Sequence, residues 1–469
     1  MVVLGCGIAG MLAAAAIAEY ADTLTILERD RMPEHPTVRK GVPQGRHLHG
    51  LLSTGARAID TLLPGALTSL LNHGAHHLGL AEQTLIYGPY GWMRPYPTGH
   101  FILGASRPLV EWTVHTHLLR QHRIQLIEGA EVVGLTGDAD RVRGVRIRHR
   151  DIRHSRQLAA DLVIDATGRS SKTSQWLAEF GIGPVPVTVV DSGLAYASRI
   201  VQVPAKAPTH RCVTVQADPR DSVPGRGGFW LHIEGDQTMI TLSGTKGAHP
   251  PLDEEGFTRF ARSLRHPLIG ELLTSTRPVT HISGFRDTAN QRRHYHRFPS
   301  LPAGLLVIGD ASTTFNPLYG QGMTVAALSA LALRKAWPGN HLGSAECRQI
   351  QRAIARTADL PWTVCTAEDI RYPGAKGPRP SPGLRLVQRG ADRLRAAAAH
   401  DPAAAQTFFD VLSLSSPLAR VARPAAIWAA LHGPRQPPSH SPPPLGPVNH
   451  LHPHHTAPAR NDPPDSRSG

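Results

Sequence analysis

The sequence predicts a mixed α/β protein: a Rossmann-like nucleotide-binding domain, an antiparallel sheet inserted into it, and a helical C-terminal region. Three observations predict this. A short apolar run, Val2-Val3-Leu4, enters Gly5-Cys6-Gly7-Ile8-Ala9-Gly10 and then an Ala-rich segment from Met11 to Tyr20. A second apolar run, Leu305 to Ile308, ends in Gly309-Asp310. Between the two, residues 184–283 alternate with the period of two that half-buried strands require.

In the first element, strand, glycine loop and helix form the opening of a βαβ unit, and the glycines have separate tasks. Gly5 makes the tight turn, Gly7 leaves room for a pyrophosphate, and Gly10 lets the helix lie close to the sheet. The first helical residues, Ile8 and Ala9, bring free amides to the phosphates. The second strand, Leu24 to Leu27, ends in Glu28, with Arg29 beside it as a further contact. A carboxylate there accepts both ribose hydroxyls and repels a 2′-phosphate, so the nucleotide is FAD or NAD rather than NADP. Only Met1 to Leu4 precede Gly5. That is short for a central strand of about five or six residues, and predicts either an earlier start or weak binding.

The later segment selects FAD. Asp310, at a strand end, is placed to meet ribityl hydroxyls, and Pro317, Gly320, Gln321, Gly322 and Met323 lead into a helix over residues 323–336. The N-terminus of that helix favours negative charge on the flavin ring, and the small residues let backbone lie against it.

These motifs, with Asp161-Leu162-Val163-Ile164-Asp165-Ala166-Thr167-Gly168 between them, resemble the flavoprotein monooxygenases of the para-hydroxybenzoate hydroxylase fold. The run from Arg39 to Leu52, Ser106-Arg107-Pro108-Leu109, and Phe315 to Met323 are similar to the flavin-dependent olefin epoxidases of polyether ionophore pathways, of the lasalocid and monensin type. The resemblance spans residues 1–432. It implies that Arg39 and Arg107 meet the FAD phosphates or ribityl chain, that Gly41 to His49 lie beside the flavin, and that Gly168 packs on the cofactor. It also implies transfer of one oxygen atom from O2 through a flavin C4a-hydroperoxide, most readily to an alkene of a polyketide-type metabolite. The chemistry is borne by the flavin, so no protein residue is assigned as catalytic.

One departure concerns the electron source. Thr167 stands where NADPH-dependent hydroxylases of this fold carry Asp, and Thr173 or Ser174 where they carry Arg. This favours NAD(P)H acting indirectly, through a separate flavin reductase. Two alternatives remain, an aromatic hydroxylase reduced directly by NAD(P)H and an FAD-binding reductase or non-oxygenating accessory protein. The segment nearest to a halogenase Trp-x-Trp-x-Ile-Pro motif, Phe229 to Glu234, lacks both tryptophans of the motif and the proline.

Candidate substrate contacts are His47, Tyr196, Phe229, Trp230 and His232. The expected organisation is a first part of the FAD-binding domain over 1–180, with a small antiparallel excursion at 83–103, the substrate sheet over 181–284, and a second FAD-binding part over 285–345. A helical region over 346–432 and a disordered Pro/His-rich tail over 433–469 follow. Four cysteines without a CxxC pair suit reduced thiols in a cytoplasmic protein, and no apolar run reaches membrane-spanning length. The net charge of +14 is scattered, Arg-borne and without a nucleic-acid-binding signature, so no nucleic-acid partner is expected. An acidic partner such as a reductase or a substrate carrier is compatible with that charge. No metal site is expected, since His452, His454 and His455 lie in the unstructured tail.

Overall fold

A computed structural model describes residues 1–416 apart from 122, 150–154, 205–209, 299–300, 338 and 340–341, together with 428 and 437–445. The expected mixed α/β architecture is what forms. Its centre is a five-stranded parallel sheet in the order Leu305–Val307, Val163–Asp165, Val2–Leu4, Leu24–Leu27, Ile124–Ile127. The three inner strands are buried along their whole length because helices or a second sheet cover both faces. From Val2–Leu4 the chain goes first to one side and later to the other, which opens a crevice at the carboxyl ends of the strands.

Helix Ile8–Ile17 is apolar nearly all round and therefore buried, between the parallel sheet and helix Gly322–Lys335. The outer strand Leu305–Val307 would leave an unpaired edge. Gln351, on helix Ser344–Thr357, closes it by donating to Val307 O and accepting from Val307 N, both at 2.9 Å.

The second layer is an eight-stranded sheet containing Ala195–Gln202, Gln237–Gly244, Arg226–Ile233 and Cys212–Val215. Strands Leu85–Gly88 and Gly91–Trp92 extend it, the former pairing in parallel with Cys212–Val215. The excursion at 83–103 thus contributes to the substrate sheet, across the expected boundary at residue 180. Local alternation is legible in a sequence, but the choice of partner strand is a long-range matter. One face of this sheet packs on helices Glu254–Arg262 and Leu268–Leu273. Helices Asp359–Asp369, Pro382–Ala398 and Pro402–Leu412 help to enclose a cavity on the other face.

Part of the expected disordered tail is ordered. Residues 437–445 run along the last strand of the sheet, where Trp92 N donates to Ser439 O at 2.9 Å and Trp92 Nε1 to His440 O at 3.2 Å. The other residues of the tail, His452, His454 and His455 among them, lie outside the described residues. The four cysteines are buried and free, and no described helix is long and apolar enough to cross a membrane.

Candidate active site

At the crevice, the glycines divide as their spacing predicts. Gly5 has φ +91°, and a Cβ there would lie 2.9 Å from Ala166 O. A Cβ on Gly10 would lie 1.9 Å from Gly5 O, so only glycine lets the helix approach the strand. Gly7 differs, because a Cβ on it would meet no atom within 4 Å. The same is true of Gly168, with φ +79°, and of Gly322 at the start of helix Gly322–Lys335. These openings fit a dinucleotide whose phosphates and ring replace the missing side chains. Ile8 and Met323 are core side chains, so only their backbone amides face the crevice. Ala9 is small because it packs against Gly309, where an added Cβ would come within 2.5 Å of it.

Asp310 follows Gly309 and makes no side-chain hydrogen bond among the described residues. Burial pushes its carboxyl above the usual range, against the pull of Arg107, Arg169 and Arg293. A partly exposed acceptor without a partner, at a strand end, fits a polyol chain.

Arg39, expected to meet the FAD phosphates or ribityl chain, has its partners within the protein in this structure. It is buried, donates to Cys6 O at 3.1 Å, and lies 3.4 Å from Glu28 and 3.2 Å from Glu111. Arg107 reaches the same Glu111 at 2.8 Å. Two arginines and two glutamates therefore balance within the protein, and Arg39 props the glycine loop instead of offering free charge to a phosphate. Glu111 was not anticipated, although its position four residues after Arg107 is the helical signal for a pair. Glu28 also accepts from Cys6 N at 2.7 Å and Asp30 N at 3.0 Å, leaving a carboxylate with part of its acceptor capacity for a ribose. Gly41 donates to Asp30 at 2.7 Å and is a packing glycine, since a Cβ would lie 2.3 Å from that oxygen. Arg29 is exposed at the rim.

The segment from Asp165 to Ser174 spends its polar groups internally. Asp165 accepts from Thr167 N at 2.9 Å, Thr167 Oγ1 at 2.6 Å, Thr173 Oγ1 at 2.6 Å and from the Ser171 hydroxyl. Ser174 bonds the Tyr295 hydroxyl at 3.0 Å.

Pro317–Tyr319 forms one turn of 3-10 helix that ends at Gly320, with φ +65°. A buried network braces this turn from the C-terminal helices. Asp369 accepts from Asn290 at 2.7 Å, Asn316 at 2.8 Å and Tyr319 Oη at 2.8 Å, and Tyr196 Oη donates to Asn316 at 3.0 Å. Burial lifts the Asp369 pKa to about 6 in spite of these donors. Gln321 is fixed the same way, donating to Leu412 O at 3.1 Å, so its side chain faces away from the crevice.

A cavity of about 280 Å³ opens from this turn along the eight-stranded sheet. His47, Tyr196 and Phe229 line it as expected. His47 Nδ1 is 2.8 Å from Ser198 Oγ, and burial lowers its pKa to about 4. Trp230 borders the cavity but belongs to the core on the opposite face, its Nε1 donating to His210 O at 2.9 Å. His232 is not in the cavity; it bonds Thr238 Oγ1 at 2.6 Å. Neighbours along one strand point to opposite faces, so Phe229 and Trp230 could not both have faced a substrate.

Solved structures share this architecture. A solved myxobacterial halogenase, the chondrochloren halogenase CndH described as FAD-dependent, superposes with a TM-score of 0.60 at 15% identity, covering 88% of this chain and 96% of that one. The fold is that of the FAD-binding flavoenzymes. In sequence, Protein Rv3254 of Mycobacterium tuberculosis is 29% identical, over 88% of this chain and 89% of its own length. Kynurenine 3-monooxygenase of Salinispora tropica is 25% identical over 70% of each chain. No protein-family model matches the chain.

Proposed function

We propose that this protein is an FAD-dependent monooxygenase that epoxidises alkenes of a largely apolar, polyketide-type metabolite. The observation that carries this reading is that Pro317–Gly320, which lines a mostly apolar cavity, leads within two residues to Gly322, which like Gly7 and Gly168 has open space where a Cβ would go. FAD, bound and reduced, supplies the activation of O2 and one electrophilic oxygen atom.

The residues of the chain then have limited tasks. The glycine loop and the amides of helix Ile8–Ile17 hold the pyrophosphate, and Asp310 accepts ribityl hydroxyls. The N-terminus of helix Gly322–Lys335 stabilises negative charge at the ring. The Asp369 network holds the turn beside the ring rigid, and the apolar walls keep water out. An alkene needs no proton removed before it reacts. A phenol needs a base, and His47 is a poor one because burial holds its pKa near 4. Tyr196 is equally unsuited, since burial pushes its pKa far up. This favours epoxidation over phenol hydroxylation. The internal bonding of Thr167, Thr173 and Ser174 supports reduction by a separate flavin reductase.

The test combines the FAD-loaded protein, a flavin reductase with NADPH, a long polyene and isotopically labelled O2. A product gaining one labelled oxygen per epoxide is expected. Fast, saturable reduction by NADPH alone, stimulated by a phenol, would overturn the reading in favour of a self-sufficient hydroxylase.

A further inference from the structure

One part of the cavity lining, contributed by the C-terminal helices, is charged. Arg395 and Glu368 both line it. Arg395 Nη1 donates to Glu368 Oε1 at 2.7 Å, and Arg371 donates through both terminal nitrogens to Asp392 at 2.9 Å each. Arg371 also lies 3.5 Å from Glu368, and Arg395 lies 3.8 Å from Asp392. Nε and Nη2 of Arg395 donate to no atom among the described residues, although its side chain is only 19% exposed. Tyr372, also in the lining, is buried, and its hydroxyl makes no hydrogen bond among the described residues. The cavity thus presents unused N–H and O–H donors there, beside Glu368 Oε2, which lies 3.5 Å from Arg371 Nη1.

The charge balance restricts what those donors can take. Two arginines face two carboxylates, and the buried Asp369 adjoins Glu368 on the same helix. An incoming carboxylate would make the negative groups outnumber the positive ones in a place with little water, which is costly. A neutral oxygen uses the same donors and leaves the balance unchanged.

We propose that Arg395 and Tyr372 form a recognition site for a neutral oxygen of the substrate, a carbonyl, ester, amide or hydroxyl, and that the site discriminates against a free carboxylate. An acid-bearing metabolite would accordingly enter as an ester, thioester or amide. The inference rests on the cavity of the proposed function being the substrate cavity, and it deepens that reading.

Calorimetric titration of the oxidised, FAD-loaded chain with methyl linolenate and with linolenic acid tests it, because binding is read without turnover. The ester should bind at least about tenfold more tightly than the acid, a factor that corresponds to one well-placed hydrogen bond. Glu368→Gln removes one negative charge and should improve acid binding about tenfold while leaving the ester nearly unchanged. Arg395→Met should weaken the ester about tenfold, and Arg395→Lys, with a melting curve for each variant, separates loss of the donors from loss of fold. Equal or tighter binding of the acid, a ratio unmoved by Glu368→Gln, or no binding of either ligand would overturn the proposal. Failure to transfer labelled oxygen, with the binding ratio intact, would overturn the oxygenase reading alone.

Discussion

Alanine at Gly7 should leave the folded chain intact and weaken FAD binding, whereas alanine at Gly10 should damage the fold itself. The two positions belong to one motif, but their surroundings differ. Gly7 has φ −83°, ordinary for any residue, caps helix Ile8–Ile17 without a side-chain bond, and has open space where its Cβ would go. Removing glycine's extra freedom from the unfolded chain stabilises by about 0.4–1 kcal/mol, and alanine at a helix cap costs a similar amount, so the net change should be near zero. At Gly10 the new Cβ would stand 1.9 Å from Gly5 O, and overpacking against backbone costs about 1–3 kcal/mol or more. For the cofactor the order reverses. A methyl on Gly7 displaces a phosphate from backbone amides, and losing one charge-assisted bond of about 1.5–3 kcal/mol weakens FAD by about ten- to a hundredfold. Thermal melting of the apoproteins and titration of flavin fluorescence read the two effects separately. Wild-type FAD affinity in Gly7→Ala, or a drop in its melting temperature as large as that of Gly10→Ala, would refute the reasoning.

Asp310→Asn should weaken FAD by about tenfold with an unchanged apoprotein melting curve, since no donor among the described residues depends on that carboxylate; a large loss of stability would assign Asp310 a structural role instead. Asp369→Ala leaves three buried donors, from Asn290, Asn316 and Tyr319, without an acceptor, and should destabilise by about 3 kcal/mol or more in denaturant unfolding, while a change below about 1 kcal/mol would show that the network is dispensable. Burial lowers His47, His49 and His232 to pKa values of about 4, 3 and 4 from 6.5, so the unfolded chain binds more protons than the folded one between those limits. Stability should therefore fall as pH drops from 6.5 towards 4, partly offset by Asp369, whose raised pKa of about 6 acts in the opposite sense; a flat melting profile over that window would contradict these burials. Deleting residues 437–469 should free the Trp92 edge, seen as faster exchange of its amide and stronger acrylamide quenching of tryptophan fluorescence, and unchanged protection would mean that the 439–440 contacts are not formed in solution.

The sequence by itself determined the features that depend on neighbours along the chain. Glycine spacing, a short apolar strand and a following Ala-rich helix specify a dinucleotide loop because each acts within a few residues, and the strand alternation over 184–283 specifies a sheet for the same reason. Which of three candidates on one strand meets the cavity was left to the structure: Phe229 lines it, Trp230 borders it from the core of the opposite face, and His232 lies outside it. Tertiary structure alone decided which charges are spent. Arg39 reads as a free cation until Glu28 and Glu111, both distant in sequence, are brought against it. Asp369 carries no motif, yet folding places it under the Pro317–Gly320 turn, where it gathers donors from three other positions. The strands at residues 85–92 likewise joined the sheet, and Ser439 and His440 met Trp92 at its edge, through partners that no local pattern names. Hydrogen bonds and ion pairs depend on distance in space, and only the packed chain sets those distances.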